Sequence, residues 1–398
     1  MPAKPPTELY NFLQSPKQNA LGESKLNGNA SVESPTVFCS NTTDFSTNAV
    51  IAHIRQTQGH VKGEFPQKLY HLEICPTSVC QIACTFCSYE SRNLSGNRLS
   101  PDVLKQVLED ARLLQVVGCY WSGGGDPLTA KDVDSLIRES SEFSGVSIQT
   151  NAISLDRLLK QGYSWFNETC DLITWSIYAH EKELFQKACR TEPSKFAKLV
   201  ENIKTAVRFR DQWRVGDPEP KQSLPPTHIS GKLVVSRENF RALPEMLSFA
   251  RSLNLDTYHI RLVDNYESGQ DVALTTEQLA ELKCLVRNLN DTVLQSFGQS
   301  LERRQEPPTA CPCYSIREGI NAIVETNGDV FLSIPSDGHR FSIGNVNQTR
   351  LRDLWGSPQH LEVVHRLQYE FSAPVSKDRH HKIDLAIHEF EAGKRHFR

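Results

Sequence analysis

"CQIACTFC", residues 80–87, sets three cysteines as C-x3-C-x2-C directly after "KLYHLEI" (68–74), a run that reads as a β-strand. Three thiolates this close in sequence suit a metal centre, because free cysteines pack singly and gain nothing from clustering. Structural zinc sites close with four protein ligands, often as two C-x2-C pairs. Here the local set is three, with Cys75 five residues upstream of Cys80 and followed by a proline. A [4Fe–4S] cluster held by three cysteines leaves one iron open to a further ligand, and the spacing favours that arrangement over zinc.

Outward from the loop, short apolar runs alternate with amphipathic stretches. "LSPDVLKQVLEDARLL" opens with Ser100 as N-cap and Pro101 at the first helical position. Its Leu104, Val107, Leu108 and Ala111 fall on one face at helical spacing. "VVGCYWS", "GVSIQTN", "LITWSIY", "HISGKLVV" and "DTYHIRLV" read as five more strands, with helices predicted at 194–213, 240–254 and 275–297. Six βα repeats with short connections imply a parallel sheet with right-handed crossovers. Six are too few for a standard eight-stranded barrel, so the expectation is an α/β fold built on an open, curved sheet, a partial (βα)6 barrel. A Pro-rich loop, 215–226, interrupts the pattern where a substrate entrance would fit.

The ends differ from the middle. Residues 1–60, rich in Asn, Ser, Thr and Pro, bury too little apolar surface to offset ordering and are expected to be a disordered N-terminal segment. The barrel domain is placed at 61–300, a small α+β module at 301–375 and a charged tail at 376–398. Within the module, "GINAIVETNGDVFLSIP" reads as a hairpin about Asn327-Gly328. The chain of 398 residues holds 44 Lys and Arg against 47 Asp and Glu, so its net charge of −3 gives no broad drive toward nucleic acid or an acidic membrane. No apolar run approaches a membrane span, and "MPAKPPTELYNFLQSPKQNA" has no signal-peptide core. Eleven cysteines, an odd count, scattered outside the cluster read as reduced thiols plus a metal site, and the cytoplasm is the expected location.

At this point the chain resembles the radical S-adenosylmethionine (SAM) superfamily. The cysteine loop matches its signature, including an aromatic, Phe86, before the third cysteine. "GGGDP" (123–127), after the second strand, is similar to that family's "GGEP", with Asp126 where Glu is usual. "QTNA" (149–152) resembles "TNG", with Ala152 replacing the glycine. "SIYAHEKELFQKACR" (176–190) resembles a segment that ends in arginine. The resemblance implies that Cys80, Cys84 and Cys87 hold a [4Fe–4S] cluster. It implies that Phe86, Gly123, Gly124, Gly125, Asp126, Asn151, Ser176 and Arg190 contact S-adenosyl-L-methionine. Reductive cleavage of SAM would then give a 5′-deoxyadenosyl radical that abstracts hydrogen from a C–H bond, with electrons from a flavodoxin- or ferredoxin-type donor.

"CPCYSIREGINAIVETNGDVFLSIPSDGHRFSIGNV" followed by "LRDLW" resembles the SPASM or twitch module attached to many such enzymes. Cys313, Asn327-Gly328, Ile343-Gly344-Asn345 and Trp355 match its pattern, whereas Ser333 stands near the expected hairpin cysteine. An auxiliary cluster would have only Cys311, Cys313 and, on the preceding helix, Cys284. That shortage favours a redox-neutral outcome: epimerisation, elimination or rearrangement. The substrate expected is a small polar metabolite (sugar, aminoglycoside or nucleoside type), with a ribosomal peptide as the alternative. Tyr178, His259 and Arg261 are the candidate substrate contacts, the last two sharing a strand face by period-two alternation. A non-enzymatic protein with "CQIACTFC" as a zinc knuckle is the outside reading.

Overall fold

The computed structural model describes the backbone of Val37–Cys39 and residues 69–87, 96–215, 226–263, 273–303, 321–332 and 342–370. The Pro-rich loop, the charged tail, Cys311, Cys313 and Ser333 lie outside these residues, as does the N-terminal segment apart from those three. Val37–Cys39 is a strand, β1, so the N-terminal segment contributes to the sheet.

The six expected strands all form: β2 (His71–Ile74), β3 (Gly118–Trp121), β4 (Gly145–Thr150), β5 (Leu172–Ile177), β6 (His228–Val235) and β7 (Thr257–Leu262). They lie side by side in chain order and pair in parallel throughout. This is the open βα arrangement that short helical crossovers impose. β1 adds in parallel beside β7, Phe38 opposite His259. At the other edge β8 (Asn321–Val324) adds in parallel beside β2, and the sheet continues through β9 (Asp329–Phe331) and β10 (Ser342–Asn345). The expected hairpin is therefore β8–β9, turning at Gly328 with φ 91°, and it extends the barrel sheet directly.

Helices cover one face of the sheet. The first, α1 (Pro101–Leu113), starts as read: the Val103 amide donates to Ser100 Oγ at 3.2 Å, and Leu104, Val107, Leu108 and Ala111 are buried. The other long crossovers are α2 (Val133–Ser141), α5 (Lys182–Cys189), α6 (Ser194–Val215) and α7 (Leu243–Ser252), with two short helices, α3 (Asp156–Leu159) and α4 (Tyr163–Thr169), between β4 and β5. The predicted helix at 275–297 is two, α8 (Thr276–Arg287) and α9 (Thr292–Arg303). The break falls at "NLND", where Asp291 Oδ1 accepts from the amides of Val293 at 2.9 Å and Leu294 at 3.2 Å. Such a side chain caps a new helix more readily than it continues an old one. Among the described residues no helix is long and apolar enough to cross a membrane.

The two sheet faces differ in chemistry. The helix-covered face carries Leu72, Ile74, Trp121, Val146, Ile148, Ile173, Trp175, Leu233 and Ile260, all buried in the core. The register places Glu73, Tyr120, Gln149, Thr174, Ser176, Lys232 and His259 on the opposite face. A parallel sheet covered on both sides is apolar on both; a polar face marks one that lines an open interior.

The C-terminal segment is pinned to α1. Arg350, just before the short helix α10 (Leu351–Leu354), donates to both carboxylate oxygens of the fully buried Asp110, at 2.7 and 2.9 Å. Removing one partner of such a pair leaves a charge out of water. Arg350→Ala is expected to lower unfolding stability by about 2–3 kcal/mol, below the full buried-pair cost because Arg350 keeps partial contact with water. The shift in urea midpoint checks this.

Candidate functional site

The site assembles at the C-terminal ends of β2, β3 and β4, where parallel α/β sheets place ligands. The cysteine loop follows β2 and packs on the glycine turn that follows β3. The Gly125 amide donates to Thr77 O at 3.0 Å and the Asp126 amide to Val79 O at 2.9 Å. A Cβ on Gly125 would stand 2.1 Å from Val79 O, closer than any non-bonded contact allows, so only glycine fits. Gly123 is also close, its Cβ position lying 3.0 Å from Gly125 O.

Asp126 is buried, and both its oxygens accept hydrogen bonds from the protein. Oδ1 takes the Leu128 amide at 3.0 Å; Oδ2 takes the Thr150 hydroxyl at 2.7 Å and the Asn151 amide at 2.8 Å. Burial raises its pKa, against the pull of these three donors. In this arrangement Asp126 holds the turns after β3 and β4 together. Asn151 in turn reaches the cysteine loop: its Nδ2 donates to Cys80 Sγ at 3.4 Å and to Gln81 Oε1 at 2.9 Å.

The far side of the loop rests on the end of α5. The Ala83 amide donates to Cys189 O at 2.9 Å and the Thr85 amide to Ala188 O at 3.0 Å, while Lys195 Nζ donates to Gln81 O at 2.7 Å. The Phe86 ring packs against Tyr178, centroids 5.4 Å apart. Tyr178 stands near Ser176, Cys84 and Cys189, and burial raises the pKa of its hydroxyl. Tyr178 thus stands beside the cysteine loop. Arg190 ends α5 in the left-handed region, φ 45°, on the surface.

The donor set suits an iron–sulfur cluster. Three thiols share one loop, and Cys80 Sγ receives the Asn151 amide and the Ile82 backbone N–H, the kind of N–H···S bond that tunes such clusters. Without metal the Cys80 and Cys84 thiols stay protonated. Burial first, then the Asp126 carboxylate, pushes Cys80 up to about 12. Cys84 is raised by its hydrogen bond with Cys189 and by burial.

Sequence comparison accounts for this geometry: the profile of the radical SAM superfamily matches residues 74–210, from the last residue of β2 into α6. The chain carries a radical SAM domain. It is 23% identical over 237 residues to a probable GTP 3′,8-cyclase of Sulfurisphaera tokodaii, covering 58% of this chain and 67% of the relative. A probable GTP 3′,8-cyclase of Archaeoglobus fulgidus is 26% identical over 200 residues, 49% of this chain and 59% of the relative. The chain thus spans about two thirds or less of the length of these cyclases. A tungsten-containing aldehyde ferredoxin oxidoreductase cofactor-modifying protein of Pyrococcus furiosus is 25% identical over 317 residues, 74% of this chain and 82% of that one. In fold, the radical SAM domain and its extension resemble anSMEcpe with bound AdoMet, with TM-score 0.50 and 16% identity over 76% of this chain and 84% of that one. They also resemble Streptococcus suis SuiB bound to precursor peptide SuiA, with TM-score 0.52 and 15% identity over 90% and 77%. The radical SAM superfamily uses a [4Fe–4S] cluster and SAM, so the match over residues 74–210 favours the cluster over a zinc knuckle for this loop.

Several residues of the site escaped the sequence reading. Thr150 completes the Asp126 clamp, and Cys189 lies beside Cys84. On the inner face Gln149 Oε1 accepts from the Tyr120 hydroxyl at 2.6 Å and from Lys232 Nζ at 2.9 Å, Lys232 reaching across β5. The signal was present as alternation: polar residues at every second position of "SIQT", "TWSI" and "SGK" mark the inner face.

Gly125→Ala is expected to displace the cysteine loop, giving a lower melting temperature and at least a fivefold drop in iron retained after anaerobic reconstitution. A pH effect follows from the buried thiols Cys80 and Cys119, both pushed by burial from 9.0 to about 12. Between those values the unfolded chain loses these protons and the folded chain keeps them. The cluster-free protein is therefore expected to lose stability as pH rises through that window, with no contribution from these groups below it. Denaturant titrations at pH 8, 9 and 10.5 check the slope, and Cys119→Ala removes its share.

Proposed function

We propose that this enzyme abstracts a hydrogen atom from a small polar metabolite bound against the inner face of the sheet, and that the net reaction is redox-neutral. When bound, the cluster and SAM supply one electron and a 5′-deoxyadenosyl radical. Cys80, Cys84 and Cys87 hold the cluster. Gly123, Gly124, Asn151 and Ser176, at the strand ends that meet the loop, contact SAM, with Asp126 fixing the turn that presents them. Phe86 backs the loop on Tyr178. Arg190, at the end of α5, completes the SAM-facing set.

The observation that carries the substrate reading is the hydrogen-bonded row Tyr120–Gln149–Lys232, continued by His259 as the register partner of Lys232. Arg261 follows two residues along the same face. Such a surface suits a substrate rich in hydroxyl, amide or phosphate groups, of sugar, aminoglycoside or nucleoside type. The GTP 3′,8-cyclases named above act, by their names, on a nucleotide, which supports a compact polar substrate over a peptide. We place the enzyme in the cytoplasm with a flavodoxin- or ferredoxin-type electron donor, and we read the β8–β10 extension as a SPASM-like module that caps the barrel.

The test is anaerobic reconstitution, iron and sulfide analysis, then dithionite and SAM, scored for 5′-deoxyadenosine. About four irons per chain and slow deoxyadenosine release are expected. Alanine at Cys80, Cys84 or Cys87 should in each case reduce iron content about tenfold and deoxyadenosine release about a hundredfold. Zinc in place of iron, with no deoxyadenosine, would overturn the reading.

A further inference from the structure

Cys189, the last residue of α5, lies outside the cysteine motif, yet the fold delivers its thiol to the cysteine loop. Its Sγ is 3.9 Å from Cys84 Sγ, within hydrogen-bond reach for sulfur, and both residues are buried. The approach is built in by the backbone. The amides on either side of Cys84, those of Ala83 and Thr85, donate to the carbonyls of Cys189 and Ala188. Two bonds flanking one residue fix the loop against the helix end and leave the two side chains little freedom to part. Tyr178, packed on Phe86 of the loop, lies beside the same pair.

We propose that Cys189 is a positioning residue for the cluster, its S–H donating a hydrogen bond to the Cys84 sulfur and thereby setting the cluster's reduction potential. In the metal-free chain Cys84 can itself donate to Cys189. Once Cys84 is an iron-bound thiolate it has no proton to give, so the bond runs from Cys189. A donor at a ligand sulfur stabilises the extra negative charge of the reduced cluster and makes the potential less negative. Cys189 holds this bond in a dry pocket, where a hydrogen bond is stronger than in water. Thiols are weak donors and hydroxyls stronger ones, so serine at 189 keeps the bond and strengthens it, whereas alanine deletes it.

The proposal rests on Cys84 as a cluster ligand, which the iron content of Cys84→Ala tests separately. The deciding measurement is an anaerobic redox titration of the reconstituted holoenzyme, followed by the electron paramagnetic resonance signal of the reduced cluster. Cys189→Ala is expected at a more negative potential than wild type, and Cys189→Ser at a less negative one, with iron content unchanged in both. If Cys189→Ala fails to load iron, Cys189→Ser decides: a less negative potential supports the bond, and an unchanged or more negative one overturns it. Wild-type potentials in both variants would reduce Cys189 to a packing residue.

Discussion

The Asp126 carboxylate, taken out of water and ringed by the Leu128 and Asn151 amides and the Thr150 hydroxyl, ties the turn after β3 to the turn after β4, while its own amide holds the cysteine loop after β2. Burying a carboxylate is costly unless donors replace the lost water, and here three do. The shorter stem of aspartate suits that inward position, because the oxygens must meet donors within their own and the neighbouring turn. The residues aimed at the cluster, Asn151 foremost, are then positioned through backbone already fixed from below.

The sheet divides its labour between two faces. Apolar residues at alternate positions bind the helices and supply the core, and the intervening positions are released to carry polar groups inward. The barrel is open, so this inner face needs no second layer of helices. Its extension through β8, anchored by the His71–Asn321 hydrogen bond of 2.7 Å and the Arg350–Asp110 pair, covers the edge that β2 would otherwise expose. The strand that leads into the cysteine loop is thereby an interior strand, held on both sides.

The cysteine loop meets the glycine turn on one side and the end of α5 on the other. Each contact includes a pair of backbone hydrogen bonds, so the loop's course is set largely by its backbone. That packing also explains why Gly125 tolerates no side chain: the turn must lie directly on the backbone of Val79.

By itself the sequence determined the order of six strands, the capped start of α1, the β8–β9 hairpin and the three cysteines, because each is written in local periodicity or spacing. Asp126 and Asn151 were also legible as site residues, through the turns that carry them. The tertiary structure decided what those residues touch. It turned Asp126 into an inward clamp and packed Tyr178 on Phe86 of the cysteine loop. It split the stretch at 275–297 at Asp291, and it brought Val37–Cys39 beside β7 and β8 beside β2. It placed Cys189 against Cys84 across 105 residues of chain. These are contacts between segments remote in sequence, set by register and helix packing, and no local pattern records which remote partner a strand edge or thiol will find.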